Sequence, residues 1–158
     1  MEFIKKKDFY EGTIHFDLLD QDITILLDES DGPDFAYAET CVKALNQLSD
    51  QAIDRLCEAS LRYCYDFCDI VGEEPPKINA SREILMYIEP NSMIIEKVED
   101  DSVVIHLELE CSWEEEHGLE WLIKDEQVLY VGPFSNVTVK ESQEEYAAYG
   151  NYVQNGNG

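Results

Sequence analysis

Hydrophobic and polar residues alternate near the start of the chain in the pattern of two paired strands. Ile14, Phe16 and Leu18 fall on one side of an extended backbone, and Thr13, His15 and Asp17 fall on the other. The same alternation returns over residues 23–27, and the intervening residues 19–22 are typical of a tight turn. This pattern predicts an N-terminal β-hairpin.

A helical period replaces the alternation after Asp31-Gly32-Pro33, because proline is favoured in the first turn of a helix. Apolar residues at helical spacing predict a first helix over residues 33–47. A second helix, capped by Ser49 or Asp50, is predicted to run to Gly72. Since only a short joint near Leu48 separates the two, we expect them to form an antiparallel hairpin.

Short apolar runs alternate with polar turns from residue 82 to residue 132. Short connections force neighbouring strands to be antiparallel, because parallel strands need a crossover of a dozen or more residues. We predict an α+β fold in which an antiparallel sheet of about six to seven strands packs against the two-helix hairpin. The five strands of the predicted C-terminal meander cover residues 84–89, 93–98, 103–111, 119–124 and 127–131.

The length and composition fit one folded domain. The chain has 158 residues, of which 44% are hydrophobic and 11% aromatic, enough to build a single core. We assign residues 1–140 to a single α+β domain. Residues 141–158 are predicted to be an acidic and polar C-terminal tail, because they contain no basic residue and end in Asn-Gly pairs.

The cysteines and the hydropathy pattern predict a cytoplasmic protein. No apolar run of secretory length follows Met1, and no window approaches the roughly 18 apolar residues that cross a bilayer. The five cysteines are odd in number and form no CxxC pair, which argues against a disulfide framework. Cys57, Cys64 and Cys68 share one helical stripe, and we interpret them as core residues.

A strongly negative charge constrains the possible partners. Thirty-five acidic residues oppose 11 basic ones, giving a formal net charge of −24. Such a surface repels nucleic-acid phosphates and anionic membranes, so we expect neither as a partner. It attracts positively charged proteins, although solubility or adaptation to high salt would also account for the charge.

The acids concentrate between Glu108 and Glu126, where eight acids accompany one base, Lys124. Strand alternation places Glu108 and Glu110 on the solvent side, and Glu120 is expected to point outward on the following strand. Trp113 is interpreted equally well as an interface anchor or as a core residue, whereas the alternation favours an inward-facing Trp121. The predicted partner-binding residues are Glu108, Glu110, Trp113, Glu114, Glu115, Glu116, His117 and Glu120.

Two alternatives remain open at this point. Nitrogen and oxygen donors at His106, Glu108, Glu116 and His117 would suit a metal-binding regulator or a small metal-dependent hydrolase. The chain has no HExxH or EF-hand spacing and no nucleophile or phosphate-loop motif, so we assign no catalytic residue, metal or cofactor. A second acidic surface is offered by the longer predicted helix through Asp50, Asp54, Glu58, Asp66 and Asp69.

The segment Trp113-Glu114-Glu115-Glu116-His117-Gly118-Leu119, followed by a return hairpin ending at Val131-Gly132, resembles small acidic bacterial immunity proteins. These belong to contact-dependent growth inhibition and related polymorphic toxin systems, and the resemblance covers residues 103–132. It implies a non-enzymatic neutraliser of a toxin domain, often a nuclease, and carries over no individual binding residues. Charge agrees with this implication, because a nuclease site is basic and an acidic protein surface can occupy it.

Overall fold

The protein has an α+β fold, as predicted, in a computed structural model that describes residues 1–28, 32–96 and 98–154. The described strands are β1 Ile4–Lys5, β2 Phe9–Phe16, β3 Gln21–Asp28, β4 Ile88–Ile95, β5 Val104–Cys111, β6 Leu119–Lys124 and β7 Gln127–Gly132. The described helices are α1 Phe35–Leu45, α2 Asp50–Val71, a 3₁₀ helix Ser81–Tyr87 and α3 Gln143–Tyr149. Parts of the predictions fall on Asp31, Lys97 and the Asn-Gly pairs of residues 155–158, which lie outside the described residues.

The seven described strands lie in sequence order across one mixed sheet. Five neighbouring pairs are antiparallel, as predicted, but β3 and β4 are parallel, with Thr24 opposite Ser92 and Leu27 opposite Ile95. The prediction of a purely antiparallel sheet is therefore wrong at this pair. The physical reason is that α1 and α2 lie between β3 and β4 in the chain and supply the crossover that parallel strands require.

The first half of the predicted meander contains one strand instead of two. Residues 81–87 form the 3₁₀ helix, and the Glu83 side chain accepts a hydrogen bond from the Ala80 N–H at 2.6 Å. β4 then runs through the predicted turn at residues 89–92, where the register shifts between Pro90 and Ser92. Proline has no N–H to donate to a ladder, and a β-bulge is a position that tolerates it.

The α-helices follow the predicted periodicity. Ser49 caps α2, because its Oγ accepts a hydrogen bond from the Ala52 N–H at 3.1 Å, and Gly72 ends the helix with φ 76°. Both helices contribute to the main core, in which the predicted core cysteines of α2 are buried and free. The antiparallel arrangement of the two helices stays a prediction. No described helix combines the length and the apolar character needed to span a membrane.

Residues 133–149 contribute to a second, smaller apolar cluster. Leu122, Tyr130, Val137 and Tyr146 are buried together there. Farther along, the Asn151 side chain accepts a hydrogen bond from the Val131 N–H and donates one to the Leu129 carbonyl, both at 3.1 Å. The segment predicted to be a polar tail therefore packs against β6 and β7 over much of its length.

Candidate functional site

The connection between β5 and β6 folds around the side chain of Glu114. Its Oε1 accepts a hydrogen bond from the Glu116 N–H at 2.9 Å, and its Oε2 lies 2.5 Å from the Nδ1 of His117. The His117 N–H is 3.2 Å from both carboxylate oxygens, and Gly118 has a φ of 72°. Because Glu114 is only 7% exposed, its predicted role as a surface contact is wrong. Glu114 instead stabilises the turn.

Glu120 is completely buried, so the prediction that it points into solvent is also wrong. Its carboxylate accepts hydrogen bonds from the N–H groups of Ser135 at 2.8 Å and Val137 at 3.0 Å. Its Oε2 also lies 2.5 Å from the Nε2 of His106, whose ring stacks on Phe134. The strand alternation placed Glu120 on the predicted face, but the C-terminal segment covers that face. Glu120 thus stabilises the position of this segment, and its side chain is inaccessible to another protein.

The two tryptophans belong to the protein interior. Trp113 is 7% exposed and packs edge-on against Tyr63, with 5.6 Å between ring centroids. Trp121 is fully buried, as predicted, and its Nε1 donates a hydrogen bond to the Ser60 hydroxyl at 3.0 Å. The core interpretation of Trp113 is confirmed, and its use as an exposed interface anchor is wrong.

Two of the remaining predicted acids, Glu108 and Glu110, lie on β5, and with Glu89 of β4 they form an anionic strip. Glu110 lies opposite Glu89 across the two strands, and Glu108 lies opposite Ser92 on one side and Glu120 on the other. Residues directly opposite have Cβ atoms about 5 Å apart, so these carboxylates repel one another. Partial burial and then the charge of Glu120 raise the pKa of Glu108, and Glu110 adds to the shift.

A cleft of about 400 Å³ opens beside this strip. We call it the acidic cleft, because three exposed glutamates contribute to its wall. The side chain of Met86 is also exposed there, with 80% of its surface accessible. The residues lining the acidic cleft are Met86, Tyr87, Glu89, Glu110, Cys111, Ser112 and Glu115.

Sequence reasoning missed five of the seven residues that line the acidic cleft, among them Met86 and Glu89. Met86 and Glu89 were both assigned to a predicted strand over residues 84–89. That assignment missed the 3₁₀ helix and the cross-strand pairing of Glu89 with Glu110. The run of helix-forming residues Glu83, Leu85 and Met86 was an available signal for a helical turn. The cross-strand pair had no local signal, because it depends on the register of β4 against β5.

The acids differ in whether they have an internal partner. On α2, Asp50 and Asp54 accept hydrogen bonds from Arg82 at 3.1 and 2.8 Å, and Asp66 accepts one from the Tyr152 hydroxyl at 2.5 Å. By contrast, the carboxylates of the acidic cleft, which belong to Glu89, Glu110 and Glu115, receive no hydrogen bond or ion pair from any described residue. All three carboxylates of the acidic cleft therefore lack a described partner, whereas three of the five acids predicted to form a surface on α2 have one.

The predicted metal-binding set is divided between different contacts. His106 faces Glu120, and Glu108 accepts a hydrogen bond from the Asn91 side chain at 2.8 Å. Within the described chain, the group with donor atoms all within 4.8 Å of one another is Glu114, Glu116 and His117. The turn itself accounts for the contacts of Glu114 in this group.

Three of the buried thiols are held in the protonated form at neutral pH. Burial raises the pKa values of Cys57, Cys64 and Cys111 to about 12, and all five cysteines are free and buried. A thiol in its protonated form is a poor nucleophile. This agrees with the interpretation of the α2 cysteines as core residues.

Comparison with known proteins provides a family but no activity. A search of curated proteins and a search of solved structures each found no match to the chain. One family model matches residues 2–138, a range that contains all seven described strands and every residue of the acidic cleft. The chain therefore belongs to the family described as "Domain of unknown function (DUF6985)".

Proposed function

We propose that this protein is a non-enzymatic acidic binding protein that neutralises a basic toxin domain, of the nuclease class, by blocking its active or substrate-binding site. The observation that carries the proposal is the acidic cleft. Its three carboxylates, on Glu89, Glu110 and Glu115, have no cationic partner among the described residues and surround a concave surface. A protein that bears the complementary charge would supply that partner.

Electrostatics explains how such a complex would form quickly. A nuclease attracts phosphate through Lys and Arg side chains, and these same side chains are attracted to a surface with a formal charge of −24. Complementary charge raises association rate constants toward about 10⁸–10⁹ M⁻¹s⁻¹ at low salt. Slow dissociation requires buried contacts as well, and the exposed Met86 is placed to provide one.

The contacts of the two histidines on β5 and in the β5–β6 turn favour binding over catalysis. His106 is 2% exposed and faces Glu120, while His117 is held by Glu114. Each imidazole thus has a structural partner that explains its position. The two imidazoles stabilise the fold, whereas the acidic cleft contributes charge, shape and an apolar wall.

A metal-binding regulator or hydrolase is the alternative, and the spacing of Glu114, Glu116 and His117 is the observation in its favour. Elemental analysis of the purified protein and calorimetry with zinc and manganese test it. A stoichiometric metal that shifts the thermal transition would support this alternative. The absence of any heat of binding and of any thermal shift would reject it.

The proposal is tested with the protein encoded beside this chain, prepared as a purified toxin domain. We expect the chain to inhibit the domain's nucleic-acid cleavage at a stoichiometric ratio. The affinity should fall by about tenfold or more between about 0.1 and 1 M ionic strength, because the Debye length shrinks from about 10 to 3 Å. Cleavage that continues at saturating chain concentrations would contradict neutralisation, and an affinity independent of salt would contradict electrostatic recognition.

Charge reversal locates the contact. Glu110→Lys combined with Glu115→Lys should abolish inhibition, because it places two cations in the acidic cleft. The matched control is Glu73→Lys combined with Glu74→Lys, which changes the net charge equally at two exposed positions after α2. If both pairs of substitutions weaken inhibition equally, the contact lies elsewhere and the role of the acidic cleft is refuted.

A further inference from the structure

The carboxylates of the acidic cleft are spaced too widely for a small metal ion. Ligand oxygens of Mg²⁺ or Ca²⁺ lie about 2.0–2.6 Å from the ion and must converge on one point. Among the described residues, Glu89, Glu110 and Glu115 do not form a group whose oxygens all approach within 4.8 Å. A guanidinium group is different, because it spreads five N–H donors over a planar fork and can contact separated carboxylates together.

The walls of the acidic cleft also suit a long cationic side chain with an apolar stem. Met86 is 80% exposed, and Tyr87 beside it is half-buried. Arginine packs its methylene groups along apolar surfaces and stacks its planar head on aromatic rings. Methionine adapts its shape to such contacts. The ammonium of lysine is compact and strongly hydrated, so it gains less from the same walls.

The chain's own arginines do not provide this cation through the contacts that the structure describes. Arg82 is paired with Asp50 and Asp54, and the Arg62 Nε donates to the Tyr152 carbonyl at 2.9 Å. Arg55, the remaining arginine of the sequence, lies on α2 and is not among the residues lining the cleft. An arginine that occupies the acidic cleft would therefore come from another molecule.

We infer that the acidic cleft binds one arginine side chain of a basic partner protein, with its guanidinium between Glu89, Glu110 and Glu115 and its stem against Met86. This inference rests on the proposed function and names the contact through which the partner is recognised. Glu89 and Glu110 lie directly opposite each other and repel, and the arriving guanidinium removes that repulsion. Recognition thus combines charge, the planar donor geometry of arginine and an apolar contact.

The experiment compares short blocked peptides that are identical except for arginine, lysine or citrulline at the same positions. Binding is measured by calorimetry at constant ionic strength. The native protein should bind the arginine peptide about fivefold more tightly than the lysine peptide, and it should bind the neutral citrulline peptide least. Equal affinity for the arginine and lysine peptides would overturn the inference.

A triple variant and a matched control locate the contact. Glu89→Gln, Glu110→Gln and Glu115→Gln together should lower arginine-peptide affinity about tenfold and remove the preference over lysine. The control combines Glu39→Gln, Glu73→Gln and Glu74→Gln, all at exposed positions. Each triple variant changes the formal charge from −24 to −21, since three carboxylates are lost. Equal losses in the two variants would show that general charge, and not the acidic cleft, binds the peptide.

Two further measurements keep the outcome unambiguous. Circular dichroism should show that both triple variants retain the native fold, because every substituted side chain is exposed. The methyl resonance of Met86 should shift on addition of the arginine peptide, and an unchanged resonance would refute contact with the stem.

A chain that inhibits its toxin without any arginine preference would refute this inference alone. A cleft that prefers arginine in a chain that inhibits no toxin would refute the proposed function alone.

Discussion

Replacing Glu120 by alanine tests whether a buried carboxylate holds the C-terminal segment on the sheet. The native side chain is fully buried and has three hydrogen-bonding partners, the N–H groups of Ser135 and Val137 and the Nε2 of His106. Alanine leaves all three without their acceptor, and a buried unsatisfied polar group costs about 1–3 kcal/mol. Because the exposed neighbouring loop can relax, we expect the combined loss to lie toward the lower end for three such groups, about 3–5 kcal/mol.

The loss should be measured by urea unfolding, followed by tryptophan fluorescence and circular dichroism. With a urea dependence of about 2 kcal/mol/M, a loss of about 4 kcal/mol lowers the midpoint by about 2 M. Native-state hydrogen exchange should show that the Ser135 and Val137 amides lose their protection. The control is Glu116→Ala, which removes the same charge from an exposed position and should change stability by less than about 0.5 kcal/mol.

Two results would refute this reasoning about Glu120. The first is an unfolding free energy within about 1 kcal/mol of the native value, since the buried groups of His106 and Val137 cannot both lose their partner at so little cost. The second is a large loss of stability with the Ser135 and Val137 amides still protected, because the carboxylate would then act somewhere other than the C-terminal segment. A double-mutant cycle with His106→Ala separates the imidazole contact from the backbone contacts.

Two other predictions concern the turns of the sheet. Gly118→Ala should destabilise the protein by about 2–3 kcal/mol in urea unfolding, because φ is 72° and the added Cβ would lie 2.6 Å from the Leu109 carbonyl oxygen. The exposed His15 contacts Asp22 at 3.2 Å and Asp20 at 2.9 Å. These hydrogen bonds raise the pKa of His15 above 6.5, and the bond with Asp22 has the larger effect. NMR titration should show that elevated pKa and its return toward 6.5 when Asp20 and Asp22 are both changed to Asn.

Each of these predictions has a control and a contrary result. Gly72→Ala has a similar φ of 76° but open space around the added Cβ, so it should cost less than Gly118→Ala. Equal costs would show that the approach to Leu109 is unimportant. The raised pKa means that the stabilisation from His15 is present below pH 6.5 and is lost as the pH rises through the folded-state value. A His15 pKa unaffected by the two Asn substitutions would contradict the assignment.

Local periodicity accounts for the elements that the sequence predicted well. The apolar stripe, serine cap and terminal glycine of α2 are signals that lie on the helix itself or directly at its ends, and the helix spans Asp50–Val71 as expected. β6 likewise matches its predicted bounds, Leu119–Lys124. The parallel pairing of β3 with β4 was not predictable in this way, because about 60 residues separate the two strands and no local pattern reports on their pairing.

The Glu-Glu-Glu-His run shows why the candidate site was only partly predictable. These residues are consecutive in the sequence, but the turn places their side chains in different environments. Glu114 points into the turn, Glu115 lines the acidic cleft, and Glu116 and His117 are exposed. Spacing along the chain predicted the negative strand edge. It did not reveal that Glu89 faces Glu110, because that pairing depends on the strand register around the β-bulge at Pro90.

The carboxylates near the sheet edge have opposite energetic roles, and this difference connects the fold to the proposed function. Glu114 and Glu120 are buried and accept hydrogen bonds from backbone N–H groups, so they stabilise the fold. Glu89 and Glu110 face one another across β4 and β5 without a described counter-charge, and like charges in this position repel. A cation bound between Glu89 and Glu110 converts that repulsion into attraction. Under the proposed function, a positively charged partner therefore supplies the counter-charge that the fold itself does not provide.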